Sequence, residues 1–163
     1  MLRVGAQAPG FFAPTVAGAP MSLADLRGQI LVLYFFRKAF TRNCTVETKG
    51  FRDNYDDLRA LGAEVVGVST DAVATQCAFA ESLDVRFPMI ADRDRSISHA
   101  YDVFFALLPI VHRVTYVVEP RGIIAGVFNH ELQVVKHLDQ VLHFVRHLAA
   151  ETTGHRREGR RDP

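Results

Sequence analysis

Tryptophan is absent from these 163 residues, cysteine occurs twice, and the longest apolar run, residues 30–36, falls far short of the roughly 18 residues that span a bilayer. An excess of charge is missing as well: 19 Lys and Arg stand against 18 Asp and Glu, a formal net charge of +1. That balance excludes a strongly basic body built for nucleic acid and an acidic, self-repelling chain. Cys44 and Cys77 are too few for a disulfide scaffold and lack metal-ligand spacing, so each is a core residue or a reactive thiol. No phosphate-binding loop, dinucleotide fingerprint or serine nucleophile elbow is present. The opening Met1-Leu2-Arg3-Val4-Gly5 lacks the sections of a signal peptide. These absences leave a soluble protein, expected in the cytoplasm, with neither nucleic acid nor membrane as partner.

What is present suits a single domain with a sizeable core, since 48% of the residues are hydrophobic. We read residues 1–150 as that domain. From Thr152 onward the composition turns to Gly, Arg and Glu without apolar periodicity, so residues 151–163 are read as a disordered polar tail. A first strand is expected over 11–16, and Ser22 with Asp25 forms a capping-box pattern before Gly28. The continuous apolar run 30–36 is the pattern of a central strand buried on both faces. A helix is expected over 44–61, with Phe51, Tyr55 and Leu58 on one face and Gly62 as its stop, followed by a second buried strand over 64–69. Strand, helix, strand in this order is normally a parallel, right-handed crossover. Further helices over 72–83 and 96–102, a short segment over 87–90, a hairpin of 113–119 and 123–128 about Pro120-Arg121-Gly122, and a closing amphipathic helix over 131–149 complete a three-layer α/β domain with a mixed sheet. Sites in such domains gather at the carboxyl ends of the parallel strands, which here means the turn from Phe36 into Cys44.

Cys44 falls at or near the first turn of a helix, where unpaired backbone N–H groups and the helix dipole favour negative charge and hence a thiolate. Arg37, Lys38 and Arg42 add positive potential close by in sequence; which of them point at the sulfur is left to the fold. A buried structural cysteine is the alternative. His143 and His147, one helical turn apart, are read as a solvated face because a metal needs a third ligand.

The spacing Arg37-x-x-x-Thr41-x-x-Cys44 resembles the peroxiredoxin active-site loop Pro-x-x-x-Thr-x-x-Cys, with Arg37 in place of the proline. The likeness extends, in order, through residues 34–39, 44–47, 50–53, 67–71, 79–81, 112–117 and 128–137, and is similar to the peroxiredoxin Q, or bacterioferritin-comigratory, branch over roughly residues 3–150. The resemblance implies a thioredoxin-like fold, a central mixed β-sheet flanked by helices on both faces. It also implies a thiol peroxidase without metal or organic cofactor, reducing hydrogen peroxide and organic hydroperoxides, recycled by thioredoxin or another thiol, and existing as a monomer or weak homodimer. On that reading Cys44 is the peroxidatic cysteine that becomes a sulfenic acid. Thr41 matches the threonine that bonds the sulfur or the peroxide, Arg113 the arginine that stabilises thiolate and developing oxygen charge, and Glu47 the acid that orients this arginine. Read separately, Thr41 is equally a helix cap, Glu47 a first-turn dipole partner and Arg113 a surface charge on a strand.

The position five residues after Cys44, where the branch often has a second cysteine, is Lys49. Some members place a resolving cysteine on the helix that here spans 72–83, about one turn later than Cys77. An internal disulfide between Cys44 and Cys77 and a one-cysteine mechanism with an external thiol therefore both stand. A different class, a redox sensor with slow turnover on the same fold, is the alternative to the peroxidase. A thioredoxin-type disulfide oxidoreductase is opposed by the absence of any Cys-x-x-Cys.

Overall fold

A computed structural model describes residues 1–158. The chain opens with a small antiparallel hairpin, β1 (Phe12–Pro14) and β2 (Pro20–Ser22), and then crosses the middle of the main sheet as β3 (Ile30–Phe35). It continues through α1 (Arg42–Asp53), α2 (Tyr55–Ala60), β4 (Ala63–Ser69), α3 (Val73–Ser82), β5 (Met89–Ala91) and α4 (Ser96–Ala100). A second hairpin, β6 (Phe104–Phe105) and β7 (Leu108–Val111), precedes β8 (Val114–Val118), β9 (Ile124–Asn129) and α5 (Val134–Glu158).

The main sheet has the order β5-β4-β3-β8-β9, with β3 parallel to β4 and antiparallel to β8. All six residues of β3 are buried because the sheet is covered on both faces, and the period of two along the strand divides them between two cores. Ile30, Val32 and Tyr34 join Phe51 of α1, Leu58 of α2, Phe79 of α3 and Val141 and Val145 of α5. Leu31, Leu33 and Phe35 join Ile97 of α4, Leu23, Leu26 and the strand residues Val66, Val68 and Tyr116. The fold is the expected mixed α/β architecture with helices on both faces. The coverage is unequal, four helices against the short α4 and a 3-10 turn at Ala24–Leu26. The capping box forms at that turn: Ser22 N donates to Asp25 Oδ2 at 2.9 Å and Asp25 N to Ser22 Oγ at 3.2 Å.

Three expectations change. The helix expected over 44–61 starts two residues earlier, at Arg42, and breaks at Asn54, whose backbone (φ −101°, ψ 5°) leaves the helix while its Nδ2 donates to the Gly50 carbonyl at 2.8 Å. The closing helix, expected over 131–149, runs as α5 from Val134 to Glu158 and so takes in residues 151–158 of the expected polar tail. There the Thr152 and Thr153 hydroxyls donate to the carbonyls of Leu148 and Ala149, one turn back, so polar residues extend a helix whose apolar face is already anchored. The rest of the expected tail, residues 159–163, lies outside the described residues. The β6–β7 hairpin had no sequence signal, because Leu107, Leu108 and Pro109 break any alternation. Among the described residues no helix is long and apolar enough to cross a membrane.

One close approach ties the sheet to α1. Tyr34 lies beside Gly67 in the parallel register, and a Cβ at Gly67 would come within 2.8 Å of the Tyr34 ring. The ring is fully buried, and its hydroxyl is 3.2 Å from Thr48 Oγ1 in α1. Gly67→Ala is expected to lower unfolding free energy by about 1–3 kcal/mol through overpacking against a ring with nowhere to move. Urea denaturation checks it; an unchanged midpoint would show that the ring relocates freely.

Candidate active site

Cys44 is the third residue of α1, at the carboxyl end of β3, and its side chain is 1% exposed. The loop that delivers it is fastened to the neighbouring parallel strand: Ala39 N donates to Asp71 Oδ2 at 2.8 Å, and Ser69 Oγ at the end of β4 donates to the same oxygen at 2.9 Å. Phe40 then turns through a left-handed conformation, φ 65°, with its ring 5.2 Å from that of Phe79 on α3. Such a conformation is costly for a bulky residue, and here it brings an otherwise exposed ring against Phe79. Thr41 occupies the N-cap position with extended backbone, but its hydroxyl donates to Lys38 O at 2.9 Å rather than capping the helix. The first N–H groups of α1, the helix that carries Cys44 in its first turn, are thus left without a side-chain cap.

The cation at the sulfur comes from far along the chain. Arg113, immediately before β8, is 3% exposed and directs Nη2 to Cys44 Sγ at 3.7 Å. Its Nη1 donates to Glu47 Oε2 in a buried ion pair, and its Nε meets the main-chain carbonyl of Glu131 at 3.5 Å. Of the three cations near Cys44 in sequence, Arg37 turns away, donating through Nε to Val111 O at 3.2 Å and through Nη2 to Glu131 Oε2 at 2.5 Å; Lys38 and Arg42 are exposed. Arg113 is therefore not a surface charge, and Glu47, with no exposure, is not a solvated first-turn residue. The structure brings Cys44, Glu47 and Arg113 together and puts Thr41 at the mouth of the same turn.

Cys77 stands apart on α3. It is half-buried, whereas Phe79 and Leu83 of the same segment are buried, and its thiol donates to Glu81 Oε1 at 3.6 Å. Desolvation and the Glu81 carboxylate push this thiol above its ordinary value. Both cysteines are free thiols.

Sequence reasoning missed Glu131, Thr115 and His137. The last two form the floor behind Glu47. His137, on α5, is fully buried, with Nε2 2.7 Å from Thr115 Oγ1 and 3.6 Å from Glu47 Oε1. Thr115 on β8 and His137 on α5 are separated by the whole of β9, so spacing along the chain carries no signal that these side chains meet.

The chain matches the AhpC/TSA family over residues 4–127. It is 32% identical over 151 residues to peroxiredoxin Bcp of Escherichia coli strain K12, covering 89% of this chain and 96% of that protein. Among solved structures, peroxidoxin BcpB from Mycobacterium tuberculosis superimposes with a TM-score of 0.83 at 29% identity, covering 90% of this chain and 97% of the other. The Xanthomonas campestris bacterioferritin comigratory protein, whose structures concern its alkyl peroxide reduction activity, superimposes with a TM-score of 0.80 at 26% identity, covering 85% and 92%.

Burial divides the protons behind the sulfur. Desolvation pushes the Glu47 carboxyl up to about 7, with the Arg113 charge working against it. Desolvation acts on Arg113 in the opposite sense to the charges of Glu47 and Cys44, which prevail and hold the guanidinium above its ordinary value. Desolvation, helped by His130 and Arg113, lowers His137 to about 4 from 6.5, so its imidazole is neutral near pH 7. The unfolded chain takes up a proton on His137 below pH 6.5 while the folded protein does not until about pH 4, so this residue weakens the fold as pH falls through that window. His137→Gln removes this titration and leaves that of Glu47. Relative to wild type, the variant should therefore gain stability steadily between pH 6.5 and 4 in urea unfolding. A pH-independent difference would show that His137 titrates alike in both states.

Proposed function

This chain belongs to the AhpC/TSA family, within its peroxiredoxin Q and Bcp branch, and from that premise we propose that it is a thiol peroxidase in which Cys44 reduces hydrogen peroxide and organic hydroperoxides. The observation that carries the reading is Arg113, which reaches Cys44 Sγ with one guanidinium nitrogen while Glu47 holds the other.

The Cys44 thiolate attacks the nearer peroxide oxygen, the O–O bond breaks, and the farther oxygen leaves as hydroxide or alkoxide and takes a proton, giving Cys44 sulfenic acid and water or an alcohol. Charge moves from sulfur to oxygen along this path. Arg113 Nη2 is a preset donor for both ends of that movement, and the uncapped N–H groups of α1 donate to the same oxygens. The Thr41 hydroxyl, which already donates to Lys38 O, has lone pairs to accept a hydrogen bond from the peroxide O–H. Glu47 acts through Arg113.

For the second half-reaction we propose that the Cys77 thiol displaces water from the sulfenic acid to form a Cys44–Cys77 disulfide, and that thioredoxin or another dithiol reduces it. Cys77 borders an apolar groove of about 900 Å³ with Met21, Ala80, Val85 and Phe87, which gives a thiol reductant a place to approach. Disulfide formation requires the two sulfurs to meet with Cα atoms within about 7 Å, and Cys44 is buried, so the first turn of α1 opens to release it and resolution is slower than oxidation. Two free thiols suit a reducing compartment, and we read the protein as cytoplasmic.

Steady peroxide consumption with excess reductant tests the reading. Cys44→Ser should abolish turnover, since a hydroxyl does not ionise near pH 7, and Arg113→Met should slow Cys44 oxidation by about a hundredfold or more. Turnover by Cys44→Ser would overturn the assignment. Mass spectrometry after one equivalent of peroxide separates the two fates of the sulfenic acid. Loss of two hydrogens with a peptide joining Cys44 to Cys77 is expected; a stable added oxygen on Cys44 with Cys77 still alkylatable would leave a one-cysteine mechanism.

A further inference from the structure

Three connecting segments meet beside Arg113: the loop after β3, the link from β7 to β8, and the link from β9 to α5. One carboxylate joins them. Glu131 Oε2 accepts from Arg37 Nη2 at 2.5 Å, and its Oε1 accepts from Arg113 N at 3.3 Å and lies 2.8 Å from His112 Nδ1. The main-chain oxygen of the same residue faces Arg113 Nε at 3.5 Å. Arg37 is held in turn by Val111 O at 3.2 Å and lies 5.3 Å from the Phe105 ring centroid, and that ring stacks on His112 at 3.6 Å.

We propose that Glu131 is a positioning residue for the peroxide reaction, forming with Arg37 an ionic latch that keeps Arg113 aimed at the Cys44 sulfur. The inference rests on the peroxidase reading above. The geometric reason is that a guanidinium has five donors in one plane, and two anchors orient that plane. Glu47 fixes Nη1 and the Glu131 carbonyl fixes Nε, which leaves Nη2 directed at the sulfur. Glu47 sits on α1, a regular element packed on the sheet. Residue 131 lies in an irregular link, so its carbonyl stays in place only if something holds the link. The side chain of Glu131 does so, by binding Arg37 and the backbone of Arg113 itself. The Arg37–Glu131 pair is partly exposed, with side chains 41% and 28% accessible, so it contributes little to global stability. Its effect is on aim, and a displacement of about 1 Å at a reacting group costs on the order of a hundredfold in rate.

The test compares two reactions of Cys44, oxidation by hydrogen peroxide and alkylation by iodoacetamide, in wild type, Glu131→Ala, Arg37→Gln and the double variant. Alkylation needs the thiolate but develops no oxygen charge, whereas peroxide reduction needs the aimed donor as well. Glu131→Ala should slow oxidation roughly 10- to 100-fold and alkylation several-fold less, because alkylation loses only the thiolate stabilisation whereas oxidation loses the donor to the departing oxygen as well. Arg37→Gln should slow oxidation less, and the double variant should be no slower than Glu131→Ala because both act through one latch. An unchanged oxidation rate, an equal loss in both reactions, or fully additive losses would each overturn the proposal. Should Glu131→Ala fail to fold, Glu131→Gln, which keeps the shape and removes the charge, carries the same comparison. Peroxide consumption by wild type that does not depend on Cys44 would defeat the peroxidase reading itself; Cys44-dependent consumption with an unaltered Glu131→Ala would defeat the latch alone.

Discussion

The buried contact of Arg113 with Glu47 and Cys44 is the constraint around which the rest is arranged. Two opposite charges taken out of water cost several kcal/mol each unless their geometry is well satisfied, and removing either partner leaves an uncompensated buried charge. Here the guanidinium touches a carboxylate, a carbonyl and the sulfur, all from different segments. Such an arrangement is poor economy as stabilisation alone. It becomes intelligible as chemistry under the proposed function, in which the nitrogen that faces the Cys44 sulfur would also donate to the peroxide oxygen on which charge develops.

The sheet makes that arrangement possible. Strand β3 delivers the loop into α1, and β8, paired antiparallel with β3 through Val114 opposite Phe35, delivers Arg113 to the same end. Tyr34, lying over Gly67 and touching Thr48, and Asp71, receiving Ala39 N–H, hold α1 and its leading loop at fixed distance from the sheet. Behind Glu47, neutral His137 and Thr115 pack without adding a competing cation. The turn that carries Cys44 is thus tied to the sheet and to α5, while its leading loop carries the left-handed Phe40 and an ionic rather than covalent restraint at Arg37.

That restraint is where this chain departs from the loop it resembles. A proline restricts its backbone by its own ring. An arginine does so only through partners, and Arg37 has three: the Val111 carbonyl, the Glu131 carboxylate and the Phe105 face. The positive charge that looked, in sequence, like a contribution to the sulfur is spent on Glu131. Two cysteines of the same chain differ for related reasons. Cys44 faces a guanidinium at a helix start, whereas Cys77 faces Glu81 in mid-helix, which keeps it a thiol.

Period and local chemistry determined much of this protein by themselves. A seven-residue apolar run between turn signals has the length and pattern of a strand buried on both faces, Ser22 and Asp25 form their box within four residues, and Gly62 stops its helix with φ 80°. The loop spacing from Thr41 to Cys44 was legible because a helix start is local. Tertiary structure decided the rest. The break at Asn54, the β6–β7 hairpin and the extension of α5 to Glu158 depend on packing or on weak polar signals. Above all, which cation reaches the sulfur could not be read from proximity in sequence. Arg37 is seven residues from Cys44 and turns away, while Arg113 is 69 residues distant and arrives, because strand pairing rather than chain distance sets which side chains share a site.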